Sequence, residues 1–148
     1  MIPWDDSILV GIPTVDSDHK DILEHINRFI AAIESDSKAG VIHDAFRRME
    51  HRIYRHLAVE EEMLEALGYV DTAEHKKSHV KLLDQLDEIW DDMLADFAFH
   101  PDEAAREWLK SWLFQHVRSE DFQYRDWIVG AGLEDEAERK MNDQRTAS

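Results

Sequence analysis

The feature that most constrains the fold of this chain is a helical spacing of apolar residues that recurs in four long segments. In the first segment, Ile22, Ile26 and Phe29 follow one another at intervals of four and three residues. Since an α-helix turns once in about 3.6 residues, this spacing places apolar side chains on one face of a helix. The spacing predicts four amphipathic helices, over residues of about 15–34, 41–67, 72–97 and 102–129.

Helix-breaking residues fall between these segments. Gly40 and Gly68 separate the first three segments, and Pro101 precedes the fourth, as expected where helices end. Four long helices joined by short links favour an all-α fold, an up-down-up-down antiparallel four-helix bundle. We expect a single domain over residues 1–148, with an N-terminal extended arm over 1–14. A short polar C-terminal tail over 133–148 is expected to be either a short helix or frayed.

The composition argues against several partners and locations. A formal net charge of −16, from 33 acidic and 17 basic residues, repels nucleic acid and anionic membrane surfaces. No run of about 18 uncharged apolar residues occurs, so no membrane span is expected. The start, MIPWDDSILVG, is acidic where a signal peptide is basic. The absence of cysteine excludes disulfides and thiolate metal sites, and we expect a cytoplasmic protein.

Polar residues interrupt the apolar faces of all four predicted helices. Burying an imidazole or a carboxylate without a partner is unfavourable, although a lone histidine on an apolar face is usually a satisfied core residue. Here five imidazoles and two carboxylates are directed into one predicted core, so a shared metal site accounts for them better. The candidate ligands are His19, His56, Glu60, His75, His79, His116 and Asp121.

The spacing in the second and third segments is that of a helical ligand pair. His56 and Glu60 are four residues apart, as are His75 and His79. Each residue advances about 100° around a helix, so residues four apart lie within about 40° of one another. Both side chains of such a pair can reach one ion. Two histidines four apart also occur by chance on surface helices, so that pair alone does not identify a site.

The pair in the fourth segment has a different spacing. His116 and Asp121 are five residues apart, which is about 140° around a regular helix. These two side chains cannot hold one ion side by side on such a helix. Either the carboxylate reaches sideways to a second ion, or the helix contains a local wide turn.

Other histidines and glutamates fall away from the centres of the apolar faces. Glu61 and Glu62 are expected to be solvated at the surface. His25, His43 and His51 are expected at the surface or at its boundary. None of the five is counted among the candidate ligands.

The number and type of the candidate ligands indicate the kind of metal site. Seven protein ligands are too many for one tetrahedral zinc ion and suit two six-coordinate ions. The two carboxylates, Glu60 and Asp121, can bridge such a pair. Iron is the natural candidate for a site rich in nitrogen and oxygen within a helical bundle.

With these motifs in order, the sequence resembles the hemerythrins, in particular their single-domain bacterial branch. The resemblance covers about residues 4–128 and depends on four stretches: VDSDH ending at His19, HLAVEE beginning at His56, HKKSH from His75 to His79, and WLFQHVRSEDFQY from Trp112 to Tyr124. The chain departs from the family pattern at three positions, with Asp18 where glutamine is common, Leu57 where phenylalanine is usual, and Val70 where proline is frequent.

The resemblance implies reversible O2 binding at two Fe ions, a non-heme di-iron centre bridged by an oxo or hydroxo group. It assigns three imidazoles to an iron that is coordinatively full, two imidazoles to an iron with an open position for O2, and two carboxylates to the bridge. In that order, these residues are His75, His79 and His116, then His19 and His56, then Glu60 and Asp121.

The surrounding residues favour O2 binding over catalysis. No histidine has a glutamate three residues before it, so the Glu-x-x-His motif of ferritin-like di-iron proteins is absent. No base or nucleophile is evident near the site, and we expect no enzymatic activity. Four apolar residues are expected to keep water out of an O2 pocket, although ordinary core packing also explains them: Ile22, Leu57, Leu113 and Val117.

The sequence leaves two biological roles open. An O2 carrier or reservoir would deliver O2 to an oxygen-consuming enzyme, whereas a sensor would report the state of its iron to a separate signalling protein. A peroxidase or a nitric-oxide-handling enzyme is disfavoured because acid–base groups are missing. A zinc or iron store is disfavoured because the set of seven ligands is fixed.

Overall fold

The computed structural model describes residues 1–95 and 103–147, and every regular element in that part of the chain is helical. The prediction of an all-α fold is confirmed for these residues, while the up-down-up-down order of a four-helix bundle stays a prediction. The helices are α1 (Pro13–Glu34), α2 (Ala39–Leu67), α3 (Thr72–Ala95), α4 (Glu103–His116), α5 (Phe122–Ala131) and α6 (Glu134–Ala147). A 3₁₀ turn (Asp6–Ile8) precedes α1, and a π-helical turn (Val117–Asp121) joins α4 to α5.

Local sequence explains where α1 begins and where α2 ends. α1 begins slightly before its predicted start because Pro13 occupies its first turn, where a fixed φ and a missing N–H are tolerated. α2 ends at Gly68, whose φ of 76° lies in the left-handed region. The Gly68 N–H donates to the Glu65 carbonyl at 3.1 Å, an ending that glycine favours.

The third predicted helix is confirmed at its start, whereas the fourth differs from the structure. α3 begins at Thr72 as expected, but its predicted end at 97, the predicted start of the next helix at 102 and the break at Pro101 lie outside the described residues. The predicted helix over 102–129 is not one regular α-helix, because the π-helical turn divides it into α4 and α5.

Of the two alternatives for the C-terminal tail, the structure shows the helix, and that helix packs on the bundle. The 14 residues of α6 contact α1 and α2, and Ala137 and Met141 on its inner side are fully buried. The Glu138 carboxylate accepts hydrogen bonds from the Thr14 N–H at 2.5 Å and the Thr14 hydroxyl at 2.9 Å. α6 therefore caps the N-terminus of α1, where free N–H groups need an acceptor.

The N-terminal arm is tied to α1 rather than extended throughout. Besides its 3₁₀ turn, the arm places the Val10 and Gly11 N–H groups 2.7 and 3.0 Å from the Asp16 carboxylate. The Asn27 side chain exchanges two hydrogen bonds with the backbone of Ile2, at 2.8 and 2.9 Å. These bonds fix the arm against the helix that carries His19.

Helix α2 carries two successive buried stretches. The apolar stretch, Phe46, Met49 and Ile53, is fully buried, and the Phe46 ring lies 5.2 Å from Phe29 and 5.6 Å from Trp90, measured between centroids. The ligand stretch, His56 and Glu60, follows within the next two turns. None of the described helices is both long and apolar enough to cross a membrane.

Candidate metal centre

The π-helical turn resolves the unusual spacing in the fourth predicted helix. A π-helix widens the turn by one residue, so side chains five apart come to the same side. The Asp121 side chain is fully buried, and its Oδ1 lies 3.3 Å from the His116 Nε2. Of the two explanations that the spacing allowed, the structure shows the local wide turn.

All seven candidate ligands are buried and meet in one place. Each is less than 9% exposed, and each of the five imidazoles has its Nε2 within 3.4 Å of a Glu60 or Asp121 oxygen. Side chains from α1, α2, α3, α4 and the π-helical turn contribute to this cluster. The convergence that the sequence predicted is therefore present in the structure.

Three imidazoles gather around one oxygen from each carboxylate. The Glu60 Oε1 lies 2.7 Å from the His75 Nε2 and 3.2 Å from the His79 Nε2. The Asp121 Oδ1 lies 3.4 Å from the His75 Nε2 and 3.3 Å from the His116 Nε2. We call His75, His79 and His116, with these two oxygens, the three-imidazole group.

Two imidazoles gather around the remaining oxygens. The Glu60 Oε2 lies 3.2 Å from the His56 Nε2, and the Asp121 Oδ2 lies 3.3 Å from the His19 Nε2. We call His19 and His56, with these oxygens, the two-imidazole group. Each carboxylate thus directs one oxygen to each group, as a ligand bridging two ions would.

The unsatisfied atoms of the cluster test whether it suits a metal. The Nε2 atoms of His56, His79 and His116 and both oxygens of Asp121 are buried without a hydrogen-bond partner. Buried polar atoms are otherwise almost always paired. One donor atom from each of Glu60, His75, His79 and His116 lies within 4.8 Å of the others, and the same holds for His19, His56 and Glu60. The donors fit two cations that prefer nitrogen and oxygen ligands.

A layer of hydrogen bonds outside the cluster orients two of the imidazoles. The His56 Nδ1 lies 2.9 Å from the Asp18 carboxylate, and the His79 Nδ1 lies 3.0 Å from the Glu61 carboxylate. These bonds leave each Nε2 turned toward the cluster, which is how outer partners commonly orient histidine ligands. The Tyr124 hydroxyl donates to the Glu60 Oε2 at 3.0 Å.

The sequence did not predict this outer layer of carboxylates. Glu61 was expected to be solvated, which is wrong, because its side chain is only 26% exposed and pairs with His79; Glu62 is exposed as expected. Asp18 could have been found, since it continues the helical spacing of Val15 and Ile22 on the buried face of α1. No sequence pattern singled out Glu61.

Nearby carboxylates raise the pKa values of His56, His75 and His116 against the opposing effect of burial. Burial alone would lower the pKa of His56, but the bond to Asp18 and the charge of Glu60 outweigh it and raise that pKa to about 10. Burial likewise opposes charging of His75, yet Glu60 and then Asp121 raise its pKa to about 9. Both rings take up protons readily unless a metal ion displaces them.

The pKa values of the two carboxylates, Glu60 and Asp121, are lowered. Burial would raise the pKa of Glu60, but the imidazoles of His56 and His75 beside it hold that pKa well below its usual value. Burial and the charge of Glu60 both act to raise the pKa of Asp121, yet His116 lowers it to about 2. Both carboxylates are therefore ionised near neutral pH, as ligands of a cation must be.

The predicted pocket residues lie deep in the same core. Ile22 and Val117 are fully buried, and Leu57 and Leu113 are 2% and 1% exposed. The histidines that were not counted as ligands stay outside the cluster: His51 is exposed, and His25 and His43 are partly buried. His43 packs instead against Trp90, at 5.5 Å between ring centroids.

Comparisons with known proteins agree with this geometry. Residues 10–128 match the profile of a family described as the Hemerythrin HHE cation binding domain. A bacteriohemerythrin from Stenotrophomonas maltophilia is 29% identical over 130 residues, which cover 86% of this chain and 82% of the relative. Hemerythrin subunit 1 from Golfingia vulgaris is 26% identical over 84% of this chain and 91% of the relative. Myohemerythrin from Sipunculus nudus is 27% identical over 82% of this chain and 89% of the relative.

Proposed function

Because this chain belongs to the hemerythrin family, we propose that it binds O2 reversibly at two iron ions, for the transport, storage or delivery of O2. We take α1, α2, α3 and the α4–α5 unit to be the antiparallel helices of a four-helix bundle around the two ions. The observation that carries the proposal is the division of five Nε2 atoms, three and two, over the paired oxygens of Glu60 and Asp121.

The two groups would hold their ions differently. The three-imidazole group offers three nitrogens and two carboxylate oxygens, and a solvent-derived bridge would complete six donors, the number that iron commonly takes. The two-imidazole group offers one nitrogen fewer and would leave one position for O2. His19 and His56 are therefore the proposed ligands of the O2-binding iron, and Glu60 and Asp121 the proposed bridges.

The chemistry that a bound di-iron pair would supply is the transfer of two electrons to O2 on binding and the return of those electrons on release. The protein's own side chains would prepare the site for it. Asp18 holds the Nδ1 side of His56 and so directs the lone pair of Nε2 inward. The four buried pocket residues, Ile22, Leu57, Leu113 and Val117, would keep water out of the O2 site, which limits side reactions there.

The arrangement supports binding rather than turnover. The nearby buried acids that are not proposed ligands are already engaged: Asp16 accepts two backbone N–H groups, and Asp18 bonds to His56 and Arg52. A general acid or base must be able to give or take a proton at the reacting group. We therefore expect a ligand-binding protein without enzymatic turnover.

The direct test is to count iron per chain and cycle O2 over the reduced protein while the visible spectrum is recorded. Two irons per chain and an oxygenated band that appears and disappears reversibly would support a carrier. Rapid, irreversible oxidation would overturn it and would favour a redox sensor that signals to a separate partner. Steady O2 consumption with excess reductant would instead indicate an enzyme.

A variant pair tests the ligand assignment. His56→Ala should lower the iron content of the two-imidazole group and abolish the oxygenated band, because the other donors there cannot replace its nitrogen. His51→Ala is the matched control, since His51 is an exposed histidine on the same helix. Unchanged iron and O2 binding in His56→Ala would refute the assignment.

A further inference from the structure

A charged hydrogen-bond chain runs from His56 to the protein surface. The His56 Nδ1 lies 2.9 Å from Asp18 Oδ2, and the Arg52 Nη2 donates to Asp18 Oδ1 at 2.6 Å. The Arg52 Nε donates to Asp21, which fixes the guanidinium from its other side. The Asp18 side chain is 5% exposed and that of Arg52 is 17% exposed, so solvent screens their charges weakly.

A second imidazole of the cluster also has an outer carboxylate at its Nδ1, but that carboxylate is more exposed to solvent. His79, in the three-imidazole group, pairs with Glu61. The Glu61 side chain is 26% exposed, about five times the exposed fraction of Asp18. Of the two outer carboxylates, Asp18 should thus have the stronger electrostatic effect, and it acts on the group proposed to bind O2.

We propose that Asp18 and Arg52 are opposing positioning residues that together set how strongly the two-imidazole group favours ferric over ferrous iron. This inference rests on the proposed function. When a carboxylate accepts the Nδ1–H of an imidazole, the Nε2 of that imidazole becomes a stronger electron-pair donor to a metal ion. A stronger electron-pair donor favours ferric iron, the more highly charged ion. The guanidinium of Arg52 draws charge from the same carboxylate and acts against that effect.

Because the two side chains act against each other, substitutions of Asp18 and of Arg52 should shift the midpoint potential in opposite directions. Asp18→Asn removes the negative charge but keeps a carbonyl oxygen for His56, so it should raise the midpoint potential. Arg52→Gln removes the positive charge but keeps an amide donor for Asp18, so it should lower the potential. Changes to outer partners alter metal binding by about 10–100-fold, and a tenfold change in the ferric-to-ferrous preference is a shift of about 59 mV for one electron.

The experiment is a redox titration of the iron-loaded protein with dithionite and mediators, followed in the visible and by EPR. Each step adds one electron to one ferric ion, which becomes ferrous. Arg52→Lys, which restores the charge, should return the potential toward that of the unmodified protein. Arg48→Gln is the matched control: Arg48 is an exposed arginine of α2 that pairs with Asp44, and its loss should leave the potential unchanged.

The sign of the shift in midpoint potential distinguishes electrostatic tuning from structural damage. If Asp18→Asn and Arg52→Gln shift the potential in the same direction, or neither shifts it, the inference is wrong. Glu61→Gln should give a smaller shift than Asp18→Asn, and a larger one would also contradict the inference. Circular dichroism shows that each variant is folded before it is titrated.

A second readout separates this inference from the proposed function. The metal-free protein can be titrated with Co²⁺, whose visible bands report its ligands. Asp18→Asn should weaken Co²⁺ binding at one site about tenfold or more, and Arg52→Gln should strengthen it. Opposite shifts in a protein that does not bind O2 would uphold the inference and overturn the function. If both variants shift the midpoint potential and the Co²⁺ affinity in the same direction in a protein that binds O2, the inference is overturned and the proposed function is upheld.

Discussion

Helix α2 buries Phe46, Met49 and Ile53 in one stretch and His56 and Glu60 in the next, all at 2% exposure or less. The two stretches differ in what satisfies the buried atoms. Aromatic and aliphatic contacts stabilise the apolar stretch by removing surface from water, about 25 cal/mol per Å². The ligand stretch is stable only while each charge has a partner, because an unpaired buried charge is strongly unfavourable.

This contrast shows that equal burial does not mean equal dependence on a ligand. The apolar stretch should stabilise the fold with or without metal. In the ligand stretch, metal binding would replace one set of partners, the protons on His56 and on the neighbouring His75 of α3, by another, a metal ion. Variants in the two stretches should therefore respond differently to metal.

The largest expected effect is that of Glu60→Gln. Glu60 faces three imidazoles, so its neutral replacement should abolish metal binding to both groups and destabilise the metal-free protein by about 3–5 kcal/mol. Metal analysis and urea unfolding measure the two effects. Glu62→Gln, an exposed neighbour on the same helix, is the control, and full metal occupancy in Glu60→Gln would contradict a bridging role.

Phe46→Ala should be nearly as destabilising but insensitive to metal. The lost contacts with Phe29 and Trp90 should lower the free energy of unfolding by about 3–5 kcal/mol, the usual range for a buried phenylalanine. Phe46 lies ten residues, or about 15 Å along the helix, before His56. The destabilisation by Phe46→Ala and the stabilisation by bound metal should therefore be additive. The measurement is the rise in Tm on metal binding, which should match that of the unmodified protein.

The contrast between the stretches would fail if Phe46→Ala lost metal while still folded. Such a result would mean that packing in the apolar stretch holds the ligands in place. Circular dichroism at the temperature of the metal assay makes that distinction. The same assay with Glu60→Gln should show no rise in Tm on metal addition.

The smallest expected effect is that of Tyr124→Phe, at the edge of the cluster. This change removes one hydrogen bond to Glu60 and keeps the ring against His75, at 5.4 Å between centroids. Unfolding should become easier by about 1 kcal/mol, with both irons retained, as measured by urea titration and metal analysis. Tyr54→Phe, at an exposed tyrosine of α2, should change neither quantity, and iron loss in Tyr124→Phe would mean that the hydroxyl is needed to hold Glu60.

Much of the helical architecture could be predicted from the sequence, because apolar periodicity is a local property. The predicted segments match α1, α2 and the start of α3 closely. The tail that forms α6 could not be assigned as helix or frayed end, because its sequence is strongly polar and only Ala137 and Met141 are buried among its described side chains. Two apolar contacts are too few to give a periodic pattern.

The seven polar residues on the buried faces were also predictable, since helical spacing shows which side chains point inward. The spacing of His116 and Asp121 even required a wide turn or a second ion, and the structure has the turn. Spacing within one helix carries no information about partners on another, so Glu61 was placed at the surface although it pairs with His79 on α3.

The sequence by itself determined the apolar faces of the four predicted helices and the seven candidate ligands on them, because a period of about 3.6 residues sorts a helix into an inner and an outer face. Only the tertiary structure decided which carboxylate oxygen faces which imidazole, and that Arg52 and Asp18 stand behind His56. Those relations depend on the rotation and register of α1, α2, α3 and the α4–α5 unit relative to one another. The packing of the helices sets that rotation and register, and the spacing of residues within a single helix carries no information about either.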